Sequence, residues 1–154
     1  MTTVVGGLVG TQAVVAFGAN DIATTVAGVM DRAGLSSMAF SMPRDGTITS
    51  IAAYYSLAAE ATLAGSTVTI TAQIYSSPTP NDSFTPLATA SVTLAPSLTG
   101  VVAAGAIFSG INTGIAVPVT AGTRLLMVFT ASVTAGIDVA TILTGFTSGG
   151  ITIL

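Results

Sequence analysis

Lysine, histidine, cysteine and tryptophan are all missing from this 154-residue chain. Each absence removes a class of chemistry. Without Cys there is neither a disulfide framework nor a thiolate metal site. Without His or Lys the usual bases for a Ser or Thr nucleophile are gone, and no Gly-x-Ser-x-Gly elbow occurs. Arg32, Arg44 and Arg124 are the only basic side chains, too few for a nucleic-acid patch or an anionic-lipid cluster. The net charge is −3, and only 6% of residues are charged where an ordinary soluble domain has about 25%.

Long apolar runs are also missing, although mean hydropathy is +0.87. A spanning helix needs about 20 consecutive apolar residues. The stretch Leu8–Phe17 is broken by Gly10, Thr11 and Gln12, Gly100–Phe108 is short, and Leu125–Phe129 stops at Thr130. Aromatic residues make up 6% of the chain, too few for the two girdles of a membrane barrel. No basic segment precedes an apolar run as in a secretory signal. The expectation is a chain that does not span a membrane and does not bind nucleic acid.

What is present is Thr, Val, Ile, Ala and Gly in strand-like order. From Thr67 to Tyr75, Val68, Ile70, Ala72 and Ile74 fall on one face, and Thr67, Thr69, Thr71 and Gln73 on the other. Ala88–Leu94 repeats the alternation. β-Branched Thr favours the pleated backbone and supplies a hydroxyl in place of a charge. Two runs, Ile51–Tyr55 and Arg124–Phe129, are apolar on both faces. Such a strand must lie between two layers or at a subunit interface.

Turn chemistry recurs at short intervals: Met42–Gly46, Ser77–Asp82, Ala95-Pro96, Asn112–Gly114, Val117-Pro118 and Ala121-Gly122. Leu57–Ala64 reads as a loop between strands in preference to a helical turn. Many short strands with such punctuation predict an all-β sandwich or barrel. No linker-like shift in composition divides the chain, so residues 1–154 read as one domain.

The candidate reactive groups are few. Gly6-Gly7-Leu8-Val9-Gly10 lacks the Lys and the helix that a phosphate loop needs, and reads as a flexible or tightly packed lead-in strand. Asp21, Asp31, Asp45, Glu60, Asp82 and Asp138 all lie in turn-like surroundings, where Asp bonds to nearby backbone. A glycosidase would need two of them facing each other across a cleft. Asn20-Asp21 and Asn81-Asp82-Ser83 offer oxygen ligands for Ca²⁺ without the spacing of a helix–loop–helix site. Asn81-Asp82-Ser83 also matches the glycosylation sequon, which argues for an exposed loop and no more. Arg44 reads as a local ion pair with Asp45. The expectation is no catalytic residue, no metal and no cofactor.

Two longer stretches carry a more specific signal: Phe40–Ser50 leading into Gly65–Gln73, and Ile115–Leu126. With Gly6–Gly10 and Ile151–Ile153, they resemble the C-terminal domain of collagen-like exosporium glycoproteins of spore-forming bacteria. Asp21–Ser37 departs from that pattern. The resemblance implies a jelly-roll β-sandwich similar to tumour necrosis factor and complement-type trimer domains. Such a head sits beyond a Gly-X-Y stalk, forms a homotrimer, and caps filaments on the outermost layer of the spore among other spore-surface proteins. This chain itself has no Gly-X-Y tract.

Function is therefore expected to be structural and non-enzymatic, with trimer contacts around Tyr54-Tyr55 and Leu125–Phe129. The alternative is an adhesin-type head that binds host surface or matrix ligands through loops Ser77–Ser83 and Gly110–Gly114. A hydrolase built on the six acids ranks far below both.

Overall fold

The structure is a computed structural model. It describes residues 1–3, 5–15, 20–23, 27–31, 38–79, 81–137 and 141–154, with backbone alone at Val15, Asn20, Asp21 and Asp31. Its strands are β1 (Gln12–Val15), β2 (Asn20–Ala23), β3 (Met30–Asp31), β4 (Phe40–Ser41), β5 (Gly46–Leu57), β6 (Ala61–Ser77), β7 (Ser83–Thr93), β8 (Leu98–Val102), β9 (Ile107–Asn112), β10 (Val117–Val119), β11 (Arg124–Gly136) and β12 (Gly145–Ile153). They form two antiparallel sheets. The larger runs β2-β1-β11-β6-β7-β3, with β4 also on β11 and β8 on β6. The smaller has β5 at its centre, β12 on one side, and β9 and β10 on the other.

The seventeen-residue β6 shows why the chain folds this way. Val68, Ile70, Ala72 and Ile74 alternate inward and are buried, while Thr67, Thr69, Thr71 and Gln73 lie on the more exposed side. The outward hydroxyls tie neighbouring elements together. Thr69 Oγ1 lies 3.0 Å from Ser97 Oγ and 2.9 Å from Thr134 Oγ1. The inward side chains meet Ile48, Ile51, Tyr55 and Leu57 of β5 and Phe108 of β9 in one core between the sheets. Each large side chain so buried is worth about 1.5–3 kcal/mol.

β11 is apolar on both faces because it is covered twice. Leu125, Phe129 and Ala131 join the core between the sheets. Leu126 and Val128 point the other way, into a second core with Val14, Ala23, Met30, Tyr75 and Phe84. β1 and β2 extend the large sheet beside β11, and this second core lies on the far side of that sheet, with Met38 and Ala39 packed against it. Arg124–Phe129 is buried on both faces within the chain, which answers the choice against a subunit interface. Leu125, Leu126, Val128 and Phe129 are each 3% exposed or less, so they are not contact residues for a neighbour.

Turns fall where they are expected, with three exceptions. β5 ends at Leu57 and β6 begins at Ala61, so the expected connection between strands is there, shorter than the sequence suggests. Val117-Pro118, however, is strand: β10 pairs Pro118 with Thr47 at the edge of the small sheet, where Pro costs no ladder bond. Gly110–Asn112 is likewise strand, in β9. Gly6 and Gly7 both have positive φ, +94° and +70°, and turn the chain back so that Thr3 bridges Val9. That segment is a turn, where a strand is expected.

Candidate assembly surface

The outer face of the small sheet has the geometry of a contact surface. From Ile51 to Leu57 β5 alternates, so Ile51, Ala53, Tyr55 and Leu57 are buried while Ala52 and Tyr54 face outward. Register sets three rows across the sheet. Phe146, Ser56 and Ile107 form the first, Ser148, Tyr54 and Ser109 the second, and Gly150, Ala52 and Ile111 the third. None of the nine is charged. Phe146 is 71% exposed, Ile111 74%, Ile107 57% and Tyr54 37%. Isolated exposed apolar residues are ordinary, whereas four on one charge-free sheet face make that face a candidate interaction surface.

The face is not flat throughout. Between Tyr54 and Ile111 lies a hollow of about 640 Å³, floored by Ala52, Gly149 and Gly150. The two glycines have separate reasons. A Cβ on Gly149 would drive into Met127 Sδ and meet the Ala52 carbonyl oxygen at 3.0 Å, so glycine lets β12 close on the sheet beneath. At Gly150 a Cβ would meet nothing within 4 Å, so glycine there simply leaves the outer surface hollow.

A second concavity of about 400 Å³ opens between the sheets, lined by side chains including Phe40, Ile74, Leu125, Met127, Ile151 and Ile153. It has no charged or hydroxyl-bearing lining residue. Such a space holds apolar bulk and performs no acid–base chemistry.

The remaining candidates have structural partners. Asp45 Oδ1 accepts from the Ala121 backbone N–H at 2.7 Å, locking the turn after β4 to the turn before β11. Arg44 does not pair with the Asp45 carboxylate. Its Nη1 donates to the Asp45 carbonyl at 3.0 Å, because the carboxylate is aimed at Ala121. Asp82 lies 3.4 Å from Arg124 Nη1, which also donates to the Asn81 carbonyl at 2.8 Å. The Arg124 guanidinium stacks 5.3 Å from the Phe84 ring centroid. Asn81 Oδ1 accepts from Ser83 N–H and lies 2.9 Å from Ser77 Oγ. These bonds organise the Ser77–Ser83 loop and occupy oxygens that could otherwise serve Ca²⁺. Glu60 sits exposed in the β5–β6 turn. The side chains of Asn20, Asp21 and Asp31, and all of Arg32 and Asp138, lie outside the described residues.

Burial perturbs two tyrosines. Tyr55 is 1% exposed, its hydroxyl has no hydrogen-bond partner, and desolvation pushes its pKa up to about 12. Tyr75, in the second core, is raised for the same reason. Neither shift arises from a charge partner, so neither indicates a reacting group.

Sequence reasoning places Tyr54-Tyr55 on the contact surface and misses Ile107, Ile111 and Phe146. Of the tyrosine pair only Tyr54 is there, since Tyr55 points into the core. Register alone brings the other three to the same face.

Fold and surface together define an all-β, two-sheet sandwich with one bare, uncharged sheet face. Among the described residues there is no cluster of three or more metal-ligating or acidic side chains, and no helix long and apolar enough to cross a membrane. No family model matches the chain. It is similar to part of Collagen-like protein 1 of Acanthamoeba polyphaga mimivirus, with 34% identity over 153 residues. The match covers 95% of this chain and 16% of that protein, so the chain spans about a sixth of the relative's length. The likeness is thus to a collagen-like protein, in a virus, and not specifically to the bacterial spore glycoproteins.

Proposed function

We propose that this domain is the assembly head of a collagen-like fibrous protein: a jelly-roll sandwich that forms a homotrimer and brings three stalk chains into register. One observation carries the reading. The outer face of the small sheet is uncharged and exposes Phe146, Ile107, Ile111 and Tyr54, in a domain whose described residues offer no reactive cluster. Similarity to a collagen-like protein over almost the whole chain supports it. A collagen-type stalk needs three chains together, since its Gly-X-Y repeats wind only as a triple helix. The place proposed for the head is the outermost layer of a spore, at the tip of a surface filament. Sedimentation equilibrium at micromolar concentration is expected to give the mass of three chains, with unfolding concentration-dependent because dissociation accompanies it. A monomer throughout overturns the reading.

A second role, binding of host surface ligands at the tip, is favoured by the Ser77–Ser83 loop. Arg124 and the Ser77–Asn81 bonds tie the described residues of that loop together, and such pre-ordering lowers the entropy cost of binding. Three copies would multiply a weak contact. A glycan and matrix-protein array probed with the trimer tests it, with binding lost in Arg124→Ala. An array with no binding above background counts against the role.

A further inference from the structure

The two edges of the small sheet are finished differently. At the β9 edge, Ser109 and Ala95 exchange both backbone hydrogen bonds, at 2.9 and 3.0 Å. On the same side, β10 carries Pro118, which has no N–H to offer a neighbour. β12, at the opposite edge, has neither device. Gly145–Ile153 contains no charge and no Pro, and among the described residues no strand pairs with its outer side.

Register shows which groups stay open. Leu57 N–H donates to the Ala106 carbonyl, and the Leu57 carbonyl accepts from Gly105 N–H, so Leu57 aims its backbone groups at the β9 side. Alternation then turns Ser56, Tyr54 and Ala52 toward β12, where Phe146, Ser148 and Gly150 are their partners. Thr147, Gly149 and Ile151 aim their N–H and C=O groups out of the sheet. Among the described residues no hydrogen bond reaches those groups.

The apolar concavity between the sheets runs along the same strand. Ile151 and Ile153 of β12 form one wall, and Phe40, Leu125 and Met127 form another. Its volume of about 400 Å³ exceeds that of any one side chain.

We propose that β12 is a site of β-strand addition. An extended, uncharged segment of another polypeptide lies antiparallel beside it, bonds to Thr147, Gly149 and Ile151, and drops alternate apolar side chains into the concavity. Both features select this occupant. A row of open donors and acceptors about 13 Å long is matched by peptide backbone and not by an acyl chain. In an antiparallel pair, the residues that exchange both bonds with Gly149 and Ile151 also share their inward side, so the same alternate positions fill the concavity. The lining has no charged or hydroxyl-bearing side chain, so those positions are apolar. The β12 strand of a second copy does not supply them, because its inward Ile151 and Ile153 are already packed against its own core. The contact is at a sheet edge and does not depend on the assembly reading, which uses the outer sheet face.

The experiment titrates the full chain with a capped, dye-labelled heptapeptide in which Thr and Val alternate, followed by fluorescence anisotropy. Saturable binding below millimolar concentration is expected. N-methylation of the Val residues removes the donors aimed at β12 and is expected to weaken binding about tenfold or more, whereas N-methylation of the Thr residues leaves it within about twofold. Exchanging each Val for Ser is expected to weaken it by about tenfold as well. In the free protein the amides of Thr147, Gly149 and Ile151 are expected to exchange quickly with solvent, and the peptide to slow them, with Ser109 unchanged. Thr147→Pro removes one edge donor without touching the ladder to β5, and is expected to weaken binding with the circular dichroism of the sheets retained. No binding up to millimolar peptide, or equal losses from the two N-methylated peptides, overturns the proposal. Slow exchange of the three amides in the free protein also overturns it, because a second copy or the chain itself then covers the edge. A wild-type monomer that binds the peptide overturns the assembly reading and leaves this one standing.

Discussion

β11 and β5 look alike in sequence and end in opposite situations. Both have apolar residues on two faces across five or six positions. β11 is buried on both faces within its own chain, against β5 and β9 on one side and, on the other, in the second core with Met38 and Ala39 packed against it. β5 is covered on one side only, and Tyr54 and Ala52 remain outside with Phe146, Ile107 and Ile111 beside them. A strand hydrophobic on both faces therefore says that a second cover is needed. It does not say whether that cover is a layer of the same chain or a neighbouring molecule.

The sharpest way to break this contrast is to place a charge on each strand. Val128→Asp would bury an unpaired carboxylate in the second core, where Val128 has no exposed surface. The domain is expected not to fold, seen as loss of its sheet signal by circular dichroism, since an uncompensated buried charge costs several kcal/mol. Tyr54→Asp is expected to leave the isolated domain folded, with its unfolding free energy within about 1 kcal/mol, while abolishing the three-chain species in sedimentation. If Tyr54→Asp unfolds the monomer, or Val128→Asp does not, the contrast is false.

A less drastic probe truncates side chains. Leu126→Ala is expected to destabilise by about 2–5 kcal/mol in urea unfolding, the range for a buried Leu that leaves a cavity. Ile111→Ala should change the same unfolding free energy by no more than about 0.5 kcal/mol in the monomer. Equal losses at the two positions would mean that the β9 face is covered within the chain.

Titration of Tyr55 reports on the covered side of β5. Tyr54 faces out, and Tyr55 is buried with a pKa of about 12 against an ordinary value of 10.0. The unfolded chain releases the Tyr55 proton near pH 10, whereas the folded chain holds it. The stability this group contributes is therefore complete below about pH 10 and is lost as pH rises toward about 12. Tyr55→Phe is expected to flatten that alkaline loss. At neutral pH it should be neutral or slightly stabilising, because the hydroxyl it removes has no partner. A titration of the unfolding midpoint from about pH 8 to about pH 12 checks it, and Tyr75, also raised, supplies the residual slope.

The smallest effect concerns the ends of both strands. Asp45 precedes β5, and its carboxylate holds the Ala121 N–H ahead of β11. Asp45→Ala is expected to cost about 1–2 kcal/mol, the worth of one hydrogen bond to a charged acceptor at a largely exposed site. A loss above about 3 kcal/mol would show that the two turns fold as one unit.

Much of the fold is legible in the order of residues. The alternation in Thr67–Tyr75 reports a half-buried strand directly, because Cβ atoms change side at every residue. The connection within Leu57–Ala64 is legible too. β9 is not legible at its C-terminal end, since Gly110 and Asn112 are turn-forming residues. Gly110 is there because β9 runs close to the end of β7, and a Cβ would meet the Thr93 carbonyl oxygen at 2.6 Å. Pro118 misleads similarly, as its position at a sheet edge is a property of strand order. Asp45 and Asp82 lie in turn and loop as read, but their carboxylates bond to Ala121 and Arg124, far along the chain, and not to nearby backbone as expected. What each one holds is another matter: Ala121, the partner of Asp45, lies 76 positions away and has no sequence signal.

The candidate surface divides the same way. Composition alone excluded a basic patch, a thiolate or imidazole site and a disulfide framework, because those depend only on which side chains exist. Local order determined that the chain forms strands, because pleating imposes a two-residue period on neighbours. Which apolar face is covered, and which three strands place Phe146, Tyr54 and Ile111 together, depended on pairings between residues dozens of positions apart. Those pairings depend on how many layers the chain can stack over each sheet. Within this chain both faces of β11 are buried, while the outer face of β5 stays bare.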